Sequence, residues 1–205
     1  MKTEQIMEQM KNRRMETIRP DSERQAAVLM PLLEVDGEAG LLFEIRNRDL
    51  PQGGEICFPG GAVEADERPE KTAVRETMEE LLLPRGQVRI LSPMFEMSGP
   101  GGTWISSYLG CLCGYEGTFS KDEVEEVFSV PVRWFLENPP VVSHVKLGME
   151  ESADFPWELI PGGKNYPLRK FPKAYYFYPT DHGVIWGMTA ELIFHFTQAI
   201  ETGQR

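Results

Sequence analysis

A glutamate-lined helix set directly behind a glycine turn is the feature that most restricts this chain. In the stretch from Gly53 to Leu83, GGEICFPGGAVEADERPEKTAVRETMEELLL, Pro69 fits a first helical position, where its missing N–H costs nothing and its ring already holds a helical φ. The spacing predicts a helix from about Pro69 to Leu83. On it Glu76, Glu79 and Glu80 share one face, because residues three and four apart are neighbours. Three anions on one face repel each other, and selection for stability alone would have mixed in lysines. A hard divalent cation removes that repulsion. Mg2+ and Mn2+ take oxygen ligands, commonly a few carboxylates, with substrate phosphates completing the shell.

The flanking residues make the pattern more particular. Gly61, Glu67, Arg75-Glu76 and Glu79-Glu80 stand at offsets that resemble the signature box of the Nudix hydrolases. That resemblance implies that Glu76, Glu79 and Glu80 ligate metal, with the backbone carbonyl at the Gly60-Gly61 turn joining them. It also implies that Arg75 and Glu67 form a buried pair tying the helix to its loop, so that Glu79, Glu80, Arg75 and Glu67 make up the catalytic set. Two positions depart from the family pattern. Thr77 replaces an aliphatic residue, and Leu82 replaces the usual glycine, so the helix is expected to end without a left-handed glycine and to be stopped by Pro84.

A second, narrower likeness precedes the box. The run LFEIRNRDLPQGGEICFPGG resembles the motif of coenzyme A pyrophosphatases, matching at Arg46 and from Gly54 to Gly61. It implies that Arg46, Arg48, Phe58 and Gly61 bind substrate. Arginine suits phosphate because its planar fork bonds two oxygens at once. Here the loop is about one residue shorter than in that family, and Leu50-Pro51 stands where a middle arginine is usual. The implied reaction is hydrolysis of coenzyme A or acyl-coenzyme A to 3′,5′-ADP and 4′-phosphopantetheine. The alternatives are another nucleoside diphosphate derivative such as ADP-ribose, or a binding module without turnover. Such modules tend to lose box glutamates, and none is lost here.

The net charge of -11 argues against a nucleic-acid partner, which needs a basic face, and suits a small polyanionic nucleotide met through bound cations. Cys57, Cys111 and Cys113 are too few for a disulfide framework and read as buried free thiols, which points to a reducing cytoplasm. The charged N-terminus has no apolar core of a secretory signal, and no run reaches membrane-spanning length. Assembly as a homodimer is left open.

Residues 1–20 read as a helical arm and 21–205 as the catalytic domain. Ala26 to Glu34 is a nearly continuous apolar run of the kind a buried strand shows, with Pro31 expected at an edge or bulge. Further strands are expected from Leu41 to Arg46, Glu55 to Phe58, Val88 to Met97, Thr103 to Tyr115 and Lys173 to Tyr178. Helices are expected from Pro131 to Asn138 and from Gly187 to Glu201. The segment Lys121 to Val130 carries Glu123, Glu125 and Glu126. The resemblance implies that such a segment supplies an additional carboxylate, for which Glu126 is the candidate. His144, His182 and His195 are each a conceivable general base, although lone histidines in strands and helices are usually structural. The fold implied is a Nudix α/β/α sandwich with a mixed central sheet, the box helix and the C-terminal helix on opposite faces.

Overall fold

The structure, a computed structural model, describes residues 24–35, 37–84, 86–148 and 151–203. The arm expected over residues 1–20 lies outside them. The central sheet is built from β1 (Gln25–Val35), β2 (Glu38–Arg46), β3 (Ile56–Cys57), β4 (Gly60–Ala62), β5 (Val88–Ser98), β6 (Trp104–Leu112) and β7 (Val124–Pro131). A second sheet joins β8 (Val141–Leu147), β9 (Phe171–Thr180) and β10 (Gly183–Trp186). The described helices are α1 (Pro69–Glu80), α2 (Val132–Glu137) and α3 (Gly187–Thr202). Among the described residues no helix is long and apolar enough to cross a membrane.

The central strand is β1, parallel to β6 on one edge and antiparallel to both β4 and β2 on the other. On that second edge β4 pairs with Ala26 to Val28, whereas β2 pairs only from Leu32 onward. Strands β1 and β2 therefore form a fork that opens before Leu32. The turn between β3 and β4 fills the fork, since β3 pairs with Glu44 and Ile45 of β2 on the edge that β7 does not use.

Pro31 sits where β1 changes partner, which corrects the expectation of an edge or bulge. Leu29 donates its N–H to Pro59 O at 2.9 Å, so strand alternation aims position 31 at the same edge, beyond the start of the β2 ladder. A missing donor costs nothing there, and a proline is tolerated in a central strand.

Alternation along β1 also sorts the core. Ala27 and Leu29 pack with Leu42, Ala73 and Leu81 on the α1 face, while Val28 and Met30 pack with Phe43, Leu192, Ile193 and Phe196 on the α3 face. Each large apolar side chain fully buried in this way contributes roughly 1.5–3 kcal/mol. The two helices thus cover opposite faces of a mixed sheet, as expected. Cys57, Cys111 and Cys113 are all free thiols. Cys57 and Cys111 are only partly buried, and Cys113 is exposed because β6 ends at Leu112.

Candidate active site

Helix α1 begins at Pro69 as the sequence predicts, but it ends at Glu80, earlier than expected, and Pro84 is not what stops it. Leu82 takes the left-handed conformation itself, at φ 52°. Leu83 then donates its N–H to Met78 O at 2.9 Å, the bond across a left-handed residue that closes a Schellman cap. Thr118 Oγ1 donates to Leu81 O and the Ser120 N–H donates to Glu80 O, each at 2.7 Å, and these bonds take up carbonyls that a helix end otherwise leaves unpaired. Thr77 is buried without penalty, its hydroxyl donating to Ala73 O at 2.6 Å.

The glutamate face of α1 lies against the glycine turn. Glu80 is 2% exposed, and its Oε2 accepts the Gly60 N–H at 2.9 Å. The β1–β4 ladder alternates, so the Gly60 N–H and C=O both turn off β1 toward this site. Gly60 holds φ 153°, and a Cβ there would lie 2.3 Å from Ala27 O. Gly61 is needed for a different reason: a Cβ on it would lie 2.4 Å from the Glu76 carboxyl carbon. Gly61 is thus a seat for Glu76.

Arg75 ties the acidic groups together. Its Nε and Nη2 donate to Glu67 at 3.2 and 3.0 Å, and its Nη1 donates to Glu76 Oε1 at 2.8 Å and to Glu79 Oε2 at 3.2 Å. Glu67 also accepts from Thr72 Oγ1 at 2.7 Å. The Arg75 guanidinium, and after it the Thr72 hydroxyl, holds the Glu67 carboxyl down at about 2. The expected Arg75–Glu67 pair forms, partly rather than fully buried, and it extends to two of the three box glutamates.

One carboxylate at the site was not singled out in the sequence. Glu44 on β2 is 1% exposed and lies opposite Cys57, whose Sγ is 3.3 Å from its Oε1. Its Oε2 is buried with no hydrogen-bond partner. Burial pushes Glu44 up to about 7, with Glu123 and Glu76 adding repulsion and the Cys57 thiol and Arg46 opposing it. Burial, and then the charge of Glu44, pushes Glu80 up to about 9. Burial also raises Glu76. The signal was available: a glutamate in LLFEIR, two residues from Leu42, shares the buried face of an apolar strand, where an unpaired charge is rare.

The other candidates are spread more widely. Arg46 ends β2 and donates Nε to Pro51 O at 3.0 Å. Arg48 is 79% exposed in its side chain and pairs with Glu125 at 2.9 Å. Phe58, expected to bind substrate, is 3% exposed and stacks on Phe43 with ring centroids 4.9 Å apart. It is a core residue, because strand β3 points it at the α3 face. Glu126 lies opposite Ile45 on that same face, away from Glu44, and pairs with His182 Nδ1 at 3.2 Å. From the segment expected to add a carboxylate, the charge that reaches Glu44, Glu76 and Glu80 is that of Glu123. His182 stacks on Phe128 at 4.1 Å, His195 packs against Phe95 at 5.8 Å, and His144 lies on the exposed strand β8.

Among the described residues no three His, Cys, Asp or Glu side chains converge in an arrangement that would enclose a metal ion. Arg75 holds oxygens of Glu76 and Glu79, and Gly60 holds one of Glu80. The donor chemistry nevertheless fits a hard divalent cation. The groups are all carboxylate or carbonyl oxygens, they repel one another, and Glu44 Oε2 is bare.

Comparison with known proteins adds to this geometry. A family model described as "NUDIX domain" matches residues 23–146. The peroxisomal coenzyme A diphosphatase NUDT7 of Mus musculus is 34% identical over 137 residues, which cover 65% of this chain and 57% of the mouse protein. This chain thus spans little more than half the length of that relative. An uncharacterized Nudix hydrolase NudL of Photorhabdus laumondii is 27% identical over 184 residues, covering 88% of this chain and 87% of the other. A solved structure of a MutT/nudix family protein from Enterococcus faecalis covers 98% of this chain and 70% of its own, with TM-score 0.51 and 15% identity. That last likeness bears on the fold alone.

Proposed function

The chain belongs to the Nudix family, and from that membership we propose that it hydrolyses the diphosphate of coenzyme A or an acyl derivative, with Mg2+ or Mn2+, to 3′,5′-ADP and 4′-phosphopantetheine. The observation that carries the reading is the intact acidic face of α1 against the glycine turn, with Glu80 seated on the Gly60 amide. The substrate is supported by the run from Gly54 to Gly61 and by the 34% identity to a mouse protein named as a coenzyme A diphosphatase.

Glu76, Glu79, Glu80 and the Gly60 carbonyl are the groups that would hold the cation. When bound, Mg2+ or Mn2+ supplies positive charge against the diphosphate and acidifies the attacking water. Arg75 keeps Glu76 and Glu79 oriented and offsets their mutual repulsion while the site is filled. The Gly60 amide fixes one oxygen of Glu80, so the other is the one available to the reaction. Arg46 and Arg48, at the end of β2, supply the cations for phosphate groups outside the scissile bond. The three free thiols favour a reducing compartment such as the cytoplasm.

A second reading, hydrolysis of ADP-ribose, is favoured by one feature. The loop after β2 has Leu50-Pro51 where the coenzyme A enzymes usually carry an arginine, and Arg48 is already paired with Glu125. The test is incubation with coenzyme A, acetyl-coenzyme A, ADP-ribose and dinucleotides, with Mg2+ or Mn2+, and identification of products by mass. The proposal expects 3′,5′-ADP and 4′-phosphopantetheine as the major products. Faster cleavage of ADP-ribose than of coenzyme A overturns the substrate and leaves the diphosphatase reading standing.

A further inference from the structure

Glu44 has no task in the reaction as described above, and its surroundings are not those of a structural carboxylate. A carboxylate buried to this depth ordinarily accepts hydrogen bonds at both oxygens. Here Oε1 has only the weak thiol donor of Cys57 at 3.3 Å, and Oε2 has none. Arg46 lends positive charge from a distance, with its Nε given to the Pro51 carbonyl. The remaining charges facing Glu44 are those of Glu123, Glu76 and Glu80.

The register fixes which way the group points. Glu44 lies between Cys57 on β3 and Val127 on β7, on the sheet face covered by α1, with Leu42 two residues before it in the core beneath that helix. Arg75 bonds Glu67, Glu76 and Glu79, and so neutralises the exposed end of the acidic face. At the inner end Glu80 has the Gly60 amide, and Glu44 faces it with a bare oxygen. A bare oxygen aimed into a group of anions is placed to complete the coordination of a hard cation.

We infer that Glu44 is a ligand of the divalent cation, offering Oε2 from the sheet while the box glutamates offer theirs from the helix. The inference rests on the metal-dependent reading of the site and extends it to a residue outside the box. The cation would then tie β2 to α1, elements that already pack together through Leu42 and Ala73. Metal uptake is thereby coupled to the strand–helix contact, and the loaded protein resists heat better than the metal-free one.

The test is titration of the full chain with Mn2+, reading free Mn2+ by electron paramagnetic resonance, together with thermal melts with and without Mn2+. Glu44→Gln preserves shape and removes the charge. It is expected to weaken Mn2+ binding on the order of tenfold or more and to lose most of the metal-induced rise in Tm. Without metal it should melt no lower than the wild type, because a buried anion facing other anions has gone. Glu44→Asp keeps the charge but withdraws the oxygen by one methylene, and it decides the matter should the glutamine variant fail to fold. Wild-type Mn2+ affinity in Glu44→Gln, or in Glu44→Asp in that event, overturns the inference and leaves the metal-dependent reading intact. A wild-type protein that takes up no Mn2+ overturns both.

Discussion

The Gly60 N–H and Glu80 Oε2 meet at 2.9 Å, joining the last turn of the acidic helix to the turn that fills the fork between β1 and β2. Glu80 is thus positioned by backbone, and a glutamine in its place retains an oxygen for the same bond. Glu80→Gln is expected to lower kcat by at least about a hundredfold at saturating Mg2+, since it removes a charge the reaction uses and little packing. Steady-state kinetics beside a thermal melt checks this, and a wild-type kcat in the variant rules the role out.

The same residue sets a pH dependence. Burial and Glu44 raise Glu80 from 4.5 to about 9 in the folded, metal-free protein, so the folded state binds that proton more tightly than the unfolded chain. A raised carboxyl contributes stability that is fully present below the unfolded value and is lost as pH rises through the folded one. In chelator the wild type should therefore lose stability between pH 4.5 and about 9 more steeply than Glu80→Gln. Melting temperatures of both proteins across that range test it, and parallel curves would contradict it.

Arg75→Ala should behave differently from Glu80→Gln by lowering both the melting temperature and the activity. It leaves Glu67 without its main partner and Glu76 and Glu79 without a counter-ion. Glu67 is depressed to about 2 from an ordinary 4.5, so the pair's stabilisation is present above 4.5 and disappears as pH falls toward 2. The variant should accordingly show a shallower acid-unfolding transition. An unchanged melting temperature at neutral pH would show that Arg75 does not hold the site together.

Leu82→Gly should stabilise the protein. Leu82 is 57% exposed and sits at φ 52°, so glycine removes a left-handed strain of about 1 kcal/mol and gives up little burial. For a chain of this size that corresponds to a rise in Tm of about 2–4 °C, readable by calorimetry. A fall in Tm would mean that the leucine side chain has a packing role.

Coenzyme A should be cleaved with a higher kcat/KM than dephospho-coenzyme A, and Arg46→Ala should narrow the difference about tenfold, as expected for one charged hydrogen bond. Arg46 is the better candidate for the 3′-phosphate because Arg48 is held by Glu125 at 2.9 Å. An equal ratio in wild type and variant would remove Arg46 from substrate selection.

What could be read in the sequence was whatever depends on local spacing. The α1 glutamates follow from the 3.6 period, the turn from its paired glycines and β1 from its apolar run, and the structure carries them. What escaped depends on pairing between distant segments. Glu44 gains its meaning from lying opposite Cys57 beneath α1, and Glu126 loses its expected part by lying opposite Ile45 on the other face. Phe58 directly follows β3, whose direction the fork sets. Leu82 was misjudged because a leucine gives no local sign that it will take a glycine's conformation.

The fork between β1 and β2 also bears on how the chain comes off the ribosome. Its walls are closed by strands far away in sequence, β6 against β1 and β7 against β2, the latter ending at Pro131. The signature stretch leaves the exit tunnel before β6 and β7 are made, so its crowded anions emerge while β1 and β2 still lack the strands that back them. Folding of such non-local pairings is slow. A nascent chain halted before Pro131 should accordingly remain protease-sensitive and fail to retain Mn2+, while one released with both walls synthesised should do neither.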